Sequence, residues 1–132
     1  MTPKILIVED EMLVALELES ILAESGFEPV GIAPDLMTAE HYFGEHIDLA
    51  LVDLNLRDGL TGPQIGKLLS EKGVTVLFLT ANPRTLGDGV AGTIGVLTKP
   101  TDTETVRCAV NYALGVRKGE AVEPPAALKL FG

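Results

Sequence analysis

Short apolar runs alternate along this chain with stretches in which apolar side chains recur at every third or fourth position. Lys4-Ile5-Leu6-Ile7-Val8, Leu49-Ala50-Leu51-Val52-Asp53 and Val74-Thr75-Val76-Leu77-Phe78-Leu79 contain no turn residue. Runs of this length read as strands buried on both faces, as in a parallel sheet. A weaker strand covers residues 27–33, and Pro29 inside it points to a sheet edge. A short fifth strand covers residues 94–98.

Between the strands, residues 11–25 predict a helix with Val14, Leu18, Ile21 and Leu22 on one face and Gly26 as its stop. Asp35 is a plausible N-cap for a short helix ending near Glu45. Thr61-Gly62-Pro63-Gln64 fits a capping box with Pro in the first turn, followed by buried Ile65, Leu68 and Leu69 and closed by Gly73. Thr101-Asp102-Thr103-Glu104 is a second box, and Val106, Ala109, Val110, Ala113 and Leu114 mark one face of the last helix. Residues 81–93 break the pattern. Pro83, Gly87, Gly89 and Gly92 leave room for one helical turn near Arg84–Gly87. Five β-α alternations predict an α/β fold, a doubly wound parallel sheet with helices on both faces and right-handed crossovers.

The length of 132 residues fits one domain. We place that domain at residues 1–118 and treat 119–132 as a C-terminal tail, because the composition shifts after Gly119 to Glu120, Glu123, Pro124 and Pro125. The end of the tail, Ala127 to Phe131, is apolar enough to dock on something. With 19 Asp and Glu against 10 Lys and Arg, the net charge of −9 argues against nucleic acid or an anionic membrane as partner. One cysteine, Cys108, excludes an internal disulfide and a multi-cysteine metal site. It is expected to pack against the core from the last helix. No run reaches membrane-spanning length and no signal-peptide layout opens the chain, so a reduced, cytoplasmic, soluble protein is expected.

Candidate chemistry collects at the strand ends. Parallel strands expose their C-terminal ends along one edge, where open α/β sheets bind ligands. That edge would hold Glu9, Asp10 and Asp53, then Thr80, then Lys99. Three crowded carboxylates repel unless a cation lies between them, and hard oxygen donors suit Mg²⁺. A carboxylate can act as a nucleophile and form an aspartyl phosphate. Mg²⁺, the Lys99 ammonium, the Thr80 hydroxyl and backbone N–H groups could neutralise the phosphoryl oxygens. Other features read more plainly. Glu11 suits a helix start. Residues 87–92 match the dinucleotide pattern GxGxxG but lack the preceding strand and following helix, so they form a flexible loop. His41 and His46 lie far from the acidic edge and read as surface residues.

Four motifs occur in a telling order: Ile5-Leu6-Ile7-Val8-Glu9-Asp10-Glu11, Leu51-Val52-Asp53-Leu54-Asn55-Leu56, Leu79-Thr80-Ala81 and Leu97-Thr98-Lys99-Pro100. Over about residues 3–117 the chain resembles the receiver domains of two-component response regulators. The resemblance implies a flavodoxin-like (βα)5 fold with strand order 2-1-3-4-5, an order the handed alternation alone does not supply. It implies Asp53 as phosphoacceptor, Glu9 and Asp10 as the acidic Mg²⁺ pair, and the backbone carbonyl of Asn55 completing the metal site. It implies that Thr80 and Lys99 contact the phosphoryl group. Two positions depart from the family. Val96 stands where receivers usually carry Tyr or Phe, and the Thr80–Lys99 interval is short and Gly-rich, so the fourth helix is expected to be short or irregular.

The expected function is therefore that of a stand-alone receiver taking a phosphoryl group from a histidine kinase or phosphotransfer protein. It would catalyse only its own phosphorylation and dephosphorylation. No DNA-binding or catalytic output domain is expected after residue 117, so its output would pass through a downstream protein target. The alternative is a receiver-shaped adaptor that works without phosphorylation, which Val96 and the glycines favour. A small metal-dependent phosphatase fits less well, because Leu54-Asn55 follows Asp53 directly and no general acid is placed there. The four glycines in residues 87–95 further suggest a loop that is mobile until phosphate or a partner orders it.

Overall fold

A computed structural model describes residues 2–131. Six strands form one sheet: β1 Lys4–Val8, β2 Glu28–Ala33, β3 Leu49–Val52, β4 Thr75–Thr80, β5 Gly95–Thr98 and β6 Lys129–Leu130. Their spatial order is β2-β1-β3-β4-β5-β6, with the first five parallel and β6 antiparallel to β5. Four helices accompany them: α1 Met12–Glu24, α2 Leu36–Glu40, α3 Gly62–Glu71 and α4 Thr103–Arg117. The expected five-strand order is present, with an added strand beyond it. Where a helix would link β4 to β5 there is only a 3-10 turn, Pro83–Leu86, as the glycines predict.

Strand side chains alternate between two cores, because successive residues point to opposite faces. Ile5, Ile7, Leu49, Leu51, Leu77, Leu79 and Leu97 meet α1 and α4 on one side. Leu6, Val8, Ala50, Val52, Val76, Phe78 and Val96 meet α2 and α3 on the other. Burial on both faces is why these strands read as unbroken apolar runs. Pro29 sits on the edge strand β2, beside a register shift opposite Ile5 and Leu6.

Local details differ from the sequence reading. Helix α2 ends at Glu40 and gives way to turns rather than continuing to Glu45. The box at residues 61–64 does not form, because the Thr61 hydroxyl donates to Asp58 Oδ1 at 2.5 Å instead of capping α3. At α4 the cap is Asp102 rather than Thr101, its carboxylate accepting the Thr105 N–H at 2.7 Å. Leu68 and Val14 are half-buried, while Gly66 and Ala15 take the inward positions. Cys108 is exposed, contrary to expectation. It lies on the outer side of α4, where Glu104 accepts a weak bond from its thiol at 3.4 Å. The stretch expected as a loose tail supplies β6 and buries Leu128. Among the described residues no helix is long and apolar enough to cross a membrane.

Candidate functional site

Sheet register carries the site residues to one edge. Val8 of β1 pairs with Val52 of β3, and Thr80 of β4 with Thr98 of β5. Pairing continues one residue past the strands. Asp53 N–H donates to the Val8 carbonyl at 2.9 Å, and Lys99 N–H donates to the Thr80 carbonyl at 2.8 Å. Glu9 N–H likewise donates to the Ala33 carbonyl at 3.0 Å. Glu9, Asp53 and Lys99 are thus each the first residue outside a strand, and Thr80 is the last within one. The backbone of each is still held by a ladder bond while its side chain leaves the core.

The side chains converge. Lys99 Nζ donates to Glu9 Oε1 at 2.5 Å and to Asp53 Oδ2 at 3.0 Å. Asp53 Oδ1 accepts the Leu54 N–H at 2.7 Å, and Glu9 Oε2 accepts the Glu11 N–H at 3.2 Å. One carboxylate oxygen from each of Glu9, Asp10 and Asp53 lies within 4.8 Å of the others. Glu9, Asp53 and Thr80 are buried, Lys99 is half-buried and Asp10 is exposed at the mouth. Thr80 Oγ1 accepts the Asn82 N–H at 3.1 Å, which aims the oxygen and leaves its O–H able to donate elsewhere. Asn55 lies exposed, two residues beyond Asp53.

Burial pushes the Glu9 carboxyl above its usual range, and the negative charge of Asp53 adds to this, against the bonds from Lys99 and the Glu11 N–H. For Lys99, burial acts to lower the ammonium's pKa, but its bonds to Glu9 and Asp53 outweigh it and leave the group raised and charged. Three carboxyl groups face one ammonium at the mouth. The donors are all hard oxygens. That combination fits a divalent cation such as Mg²⁺ and is poorly suited to softer metals.

Two features here are absent from the sequence reading. Gly62, the first residue of α3, packs on the Asp53 backbone so closely that a Cβ would overlap the Asp53 carbonyl and Leu54 Cα. The loop between them is stitched to the β2–α2 junction. Arg57 donates through Nε to Asp35 Oδ2 at 3.0 Å and also through Nη2. Its N–H donates to the Pro34 carbonyl at 3.0 Å, and Leu36 N–H donates to Asp58 Oδ2 at 3.1 Å. Asp35, bonded by the Thr38 side chain and N–H and by Arg57, has its carboxyl held down to about 2. The single cation among residues 54–61 is the signal that could have flagged this clamp. His41 and His46 lie on the surface, as expected, with His46 beside Asp48.

Residues 5–111 match the family model described as response regulator receiver domain. The chain is 32% identical over 118 residues to the phyllosphere-induced regulator PhyR of Methylorubrum extorquens, a match covering 86% of this chain and 44% of that protein. The solution structure of the PhyR response regulator REC domain from Erythrobacter litoralis superposes with a TM-score of 0.73 at 28% identity, covering 95% of this chain and 96% of that one. A crystal structure of a mutant anti-anti-sigma factor PhyR from Bartonella quintana gives 0.76 at 26% identity, covering 90% and 51%. The chain thus spans less than half the length of the curated relative it matches.

Proposed function

The chain belongs to the response regulator receiver domain family of two-component signalling, and we propose that it accepts a phosphoryl group from a phosphohistidine onto Asp53 and changes its protein contacts as a result. An Asp53 carboxylate oxygen attacks phosphorus, the P–N bond to the imidazole breaks, and the leaving nitrogen keeps the electron pair. Glu9, Asp10, Asp53 and the backbone carbonyl of Asn55 would hold Mg²⁺. When bound, that ion neutralises charge on the phosphoryl oxygens. Lys99 offers an ammonium already 3.0 Å from the nucleophilic carboxylate. The Thr80 hydroxyl and backbone N–H groups beyond Asp53 offer further donors to the same oxygens. The chain would turn over nothing but its own phosphorylated form.

The observation that carries this reading is the Lys99 ammonium, at the end of β5, bridging Asp53 at the end of β3 and Glu9 at the end of β1, with Asp10 beside them. Phosphoryl donors would be a histidine kinase or a phosphotransfer protein. Output would pass to a protein target. The Bartonella quintana relative is an anti-anti-sigma factor, which makes an anti-sigma factor the first candidate. Incubation with acetyl phosphate and Mg²⁺, followed by intact-mass measurement, should add one phosphoryl group to the wild type and none to Asp53→Ala. Equal addition to both would exclude this site.

A second reading, a phosphorylation-independent adaptor, is favoured by Val96. That residue is fully buried, and its backbone pairs with Lys129 of β6. No aromatic side chain is there to rotate. On this reading Asp53→Asn leaves binding of an anti-sigma factor unchanged.

A further inference from the structure

Of the groups assigned to Mg²⁺, the Asn55 carbonyl belongs to the backbone and has no rotamer to adjust. Its aim is set by the chain on either side. Asn55 is exposed, while Leu54 and Leu56 flanking it are buried in the core shared with α2 and α3. The Leu54 carbonyl accepts the Gly62 N–H at 3.0 Å, and Leu56 and Gly59 exchange backbone bonds at 2.8 and 3.0 Å. Among the described residues, no backbone–backbone bond uses the Asn55 carbonyl.

What fixes the far side of Asn55 lies in a different part of the chain. The Arg57 N–H donates to the Pro34 carbonyl at 3.0 Å, and its guanidinium donates to Asp35 Oδ2 through Nε, at 3.0 Å, and through Nη2. The other Asp35 oxygen, Oδ1, accepts the Thr38 N–H at 2.8 Å and so caps α2. Asp35 is buried, although Arg57 is largely exposed. The same junction holds the acidic pair, because the Glu9 N–H donates to the Ala33 carbonyl at 3.0 Å. Residues 33–36 therefore brace two sides of the site. One end ties down Glu9 and Asp10, the other ties down the loop with Asn55, and the brace itself supplies no ligand.

We propose that Arg57 is a positioning residue for the cation, a role that rests on Asn55 supplying the backbone ligand. Through Asp35 and the Pro34 carbonyl it fixes the aim of the Asn55 carbonyl, and so sets both the affinity of the acidic edge for Mg²⁺ and its preference over Ca²⁺. Mg²⁺ demands near-octahedral donors at about 2.0–2.1 Å, whereas Ca²⁺ accepts oxygens over a wider range and in flexible geometry. A loop released from the brace should therefore penalise Mg²⁺ more than Ca²⁺.

The test titrates the full chain with Mg²⁺ and, separately, with Ca²⁺, following the amide signals of Asp10, Asp53 and residues 55–58 by NMR. Arg57→Met should weaken Mg²⁺ binding about tenfold, as loss of an outer partner of a metal ligand does. Ca²⁺ binding should weaken by less than about threefold. Removal of a positive charge by itself acts in the opposite sense, tightening both cations together. Arg57→Lys keeps the charge without the planar fork and should remain weakened toward Mg²⁺. Asp35→Asn keeps an oxygen to cap α2 but loses the anion, and should also weaken Mg²⁺. Combined with Arg57→Met it should add little, because the two substitutions break one contact. Unchanged amide exchange in β1 and β3 shows that each variant is folded, while exchange at residues 55–58 should rise. Should Arg57→Met unfold, Arg57→Lys and Asp35→Asn decide instead. Unchanged or tighter Mg²⁺ binding in Arg57→Met, or an equal loss for both cations, would overturn the proposal while leaving the metal site standing. A wild type that shows no response to Mg²⁺ would overturn the metal site itself, and the role of Arg57 with it.

Discussion

Replacing Lys99 by methionine removes the one positive group among three carboxylates while keeping most of the stem volume. Contacts at 2.5 and 3.0 Å each correspond to about 5–7 kcal/mol of gross attraction at an effective dielectric near 20. Dehydration of the three charged groups cancels much of this. Removing one partner of a buried pair costs about 3–5 kcal/mol, because the remaining charge is stranded. Glu9 and Asp53 are buried, but Lys99 is only half-buried, so water can reach the place its ammonium leaves and the lower end applies: about 3 kcal/mol at neutral pH. For a domain of this size that corresponds to roughly 10 °C in melting temperature. The assay is thermal unfolding of wild type and Lys99→Met, with and without Mg²⁺. The wild type already carries an ammonium at the site, so Mg²⁺ should stabilise the variant more than the wild type. At a free concentration 100 times Kd the gain is about 2.7 kcal/mol. Equal melting temperatures without Mg²⁺, or equal Mg²⁺ shifts in both proteins, would show that Lys99 is not the site's counter-charge.

Gly62→Ala should destabilise by about 2–4 kcal/mol, because its Cβ meets backbone rather than a movable side chain; urea unfolding checks this, and an unchanged midpoint would contradict the close approach. The Asp35 carboxyl, held down to about 2 by Thr38 and Arg57, is depressed relative to the unfolded chain. Its contribution is therefore fully present above about pH 4 and lost as pH falls toward 2. The stability gap between wild type and Asp35→Ala should narrow across that window in acid titrations followed by circular dichroism. A gap constant from neutral pH to pH 2 would mean that charge is not what Asp35 contributes.

Much of the architecture was legible in the chain because strands buried on both faces must be apolar throughout. β1, β3 and β4 declared themselves that way, and the acid or hydroxyl ending each run marked where the chain leaves the core. The α4 face was equally plain, since all five residues assigned to it by periodicity are buried. Caps were harder. Thr61 and Asp102 had near-equal local rivals, and a hydroxyl or carboxylate goes to whichever N–H or oxygen the neighbouring loop brings closest. Cys108 was misplaced because its neighbours in sequence face inward, while its own angle on the helix faces out.

Residue types and their order along the chain determined the strand and helix succession, the acidic cluster and the lysine opposite it. These follow from local periodicity and from charge that cannot be left in the core. Only tertiary structure decided that Lys99 reaches Glu9 as well as Asp53, that Arg57 ties the Asp53 loop to Asp35, and that Phe131 lies over Gly89. Each joins residues at least 22 positions apart. Such contacts arise from sheet register and the return of the last segment to β5, and no short window of sequence contains both partners.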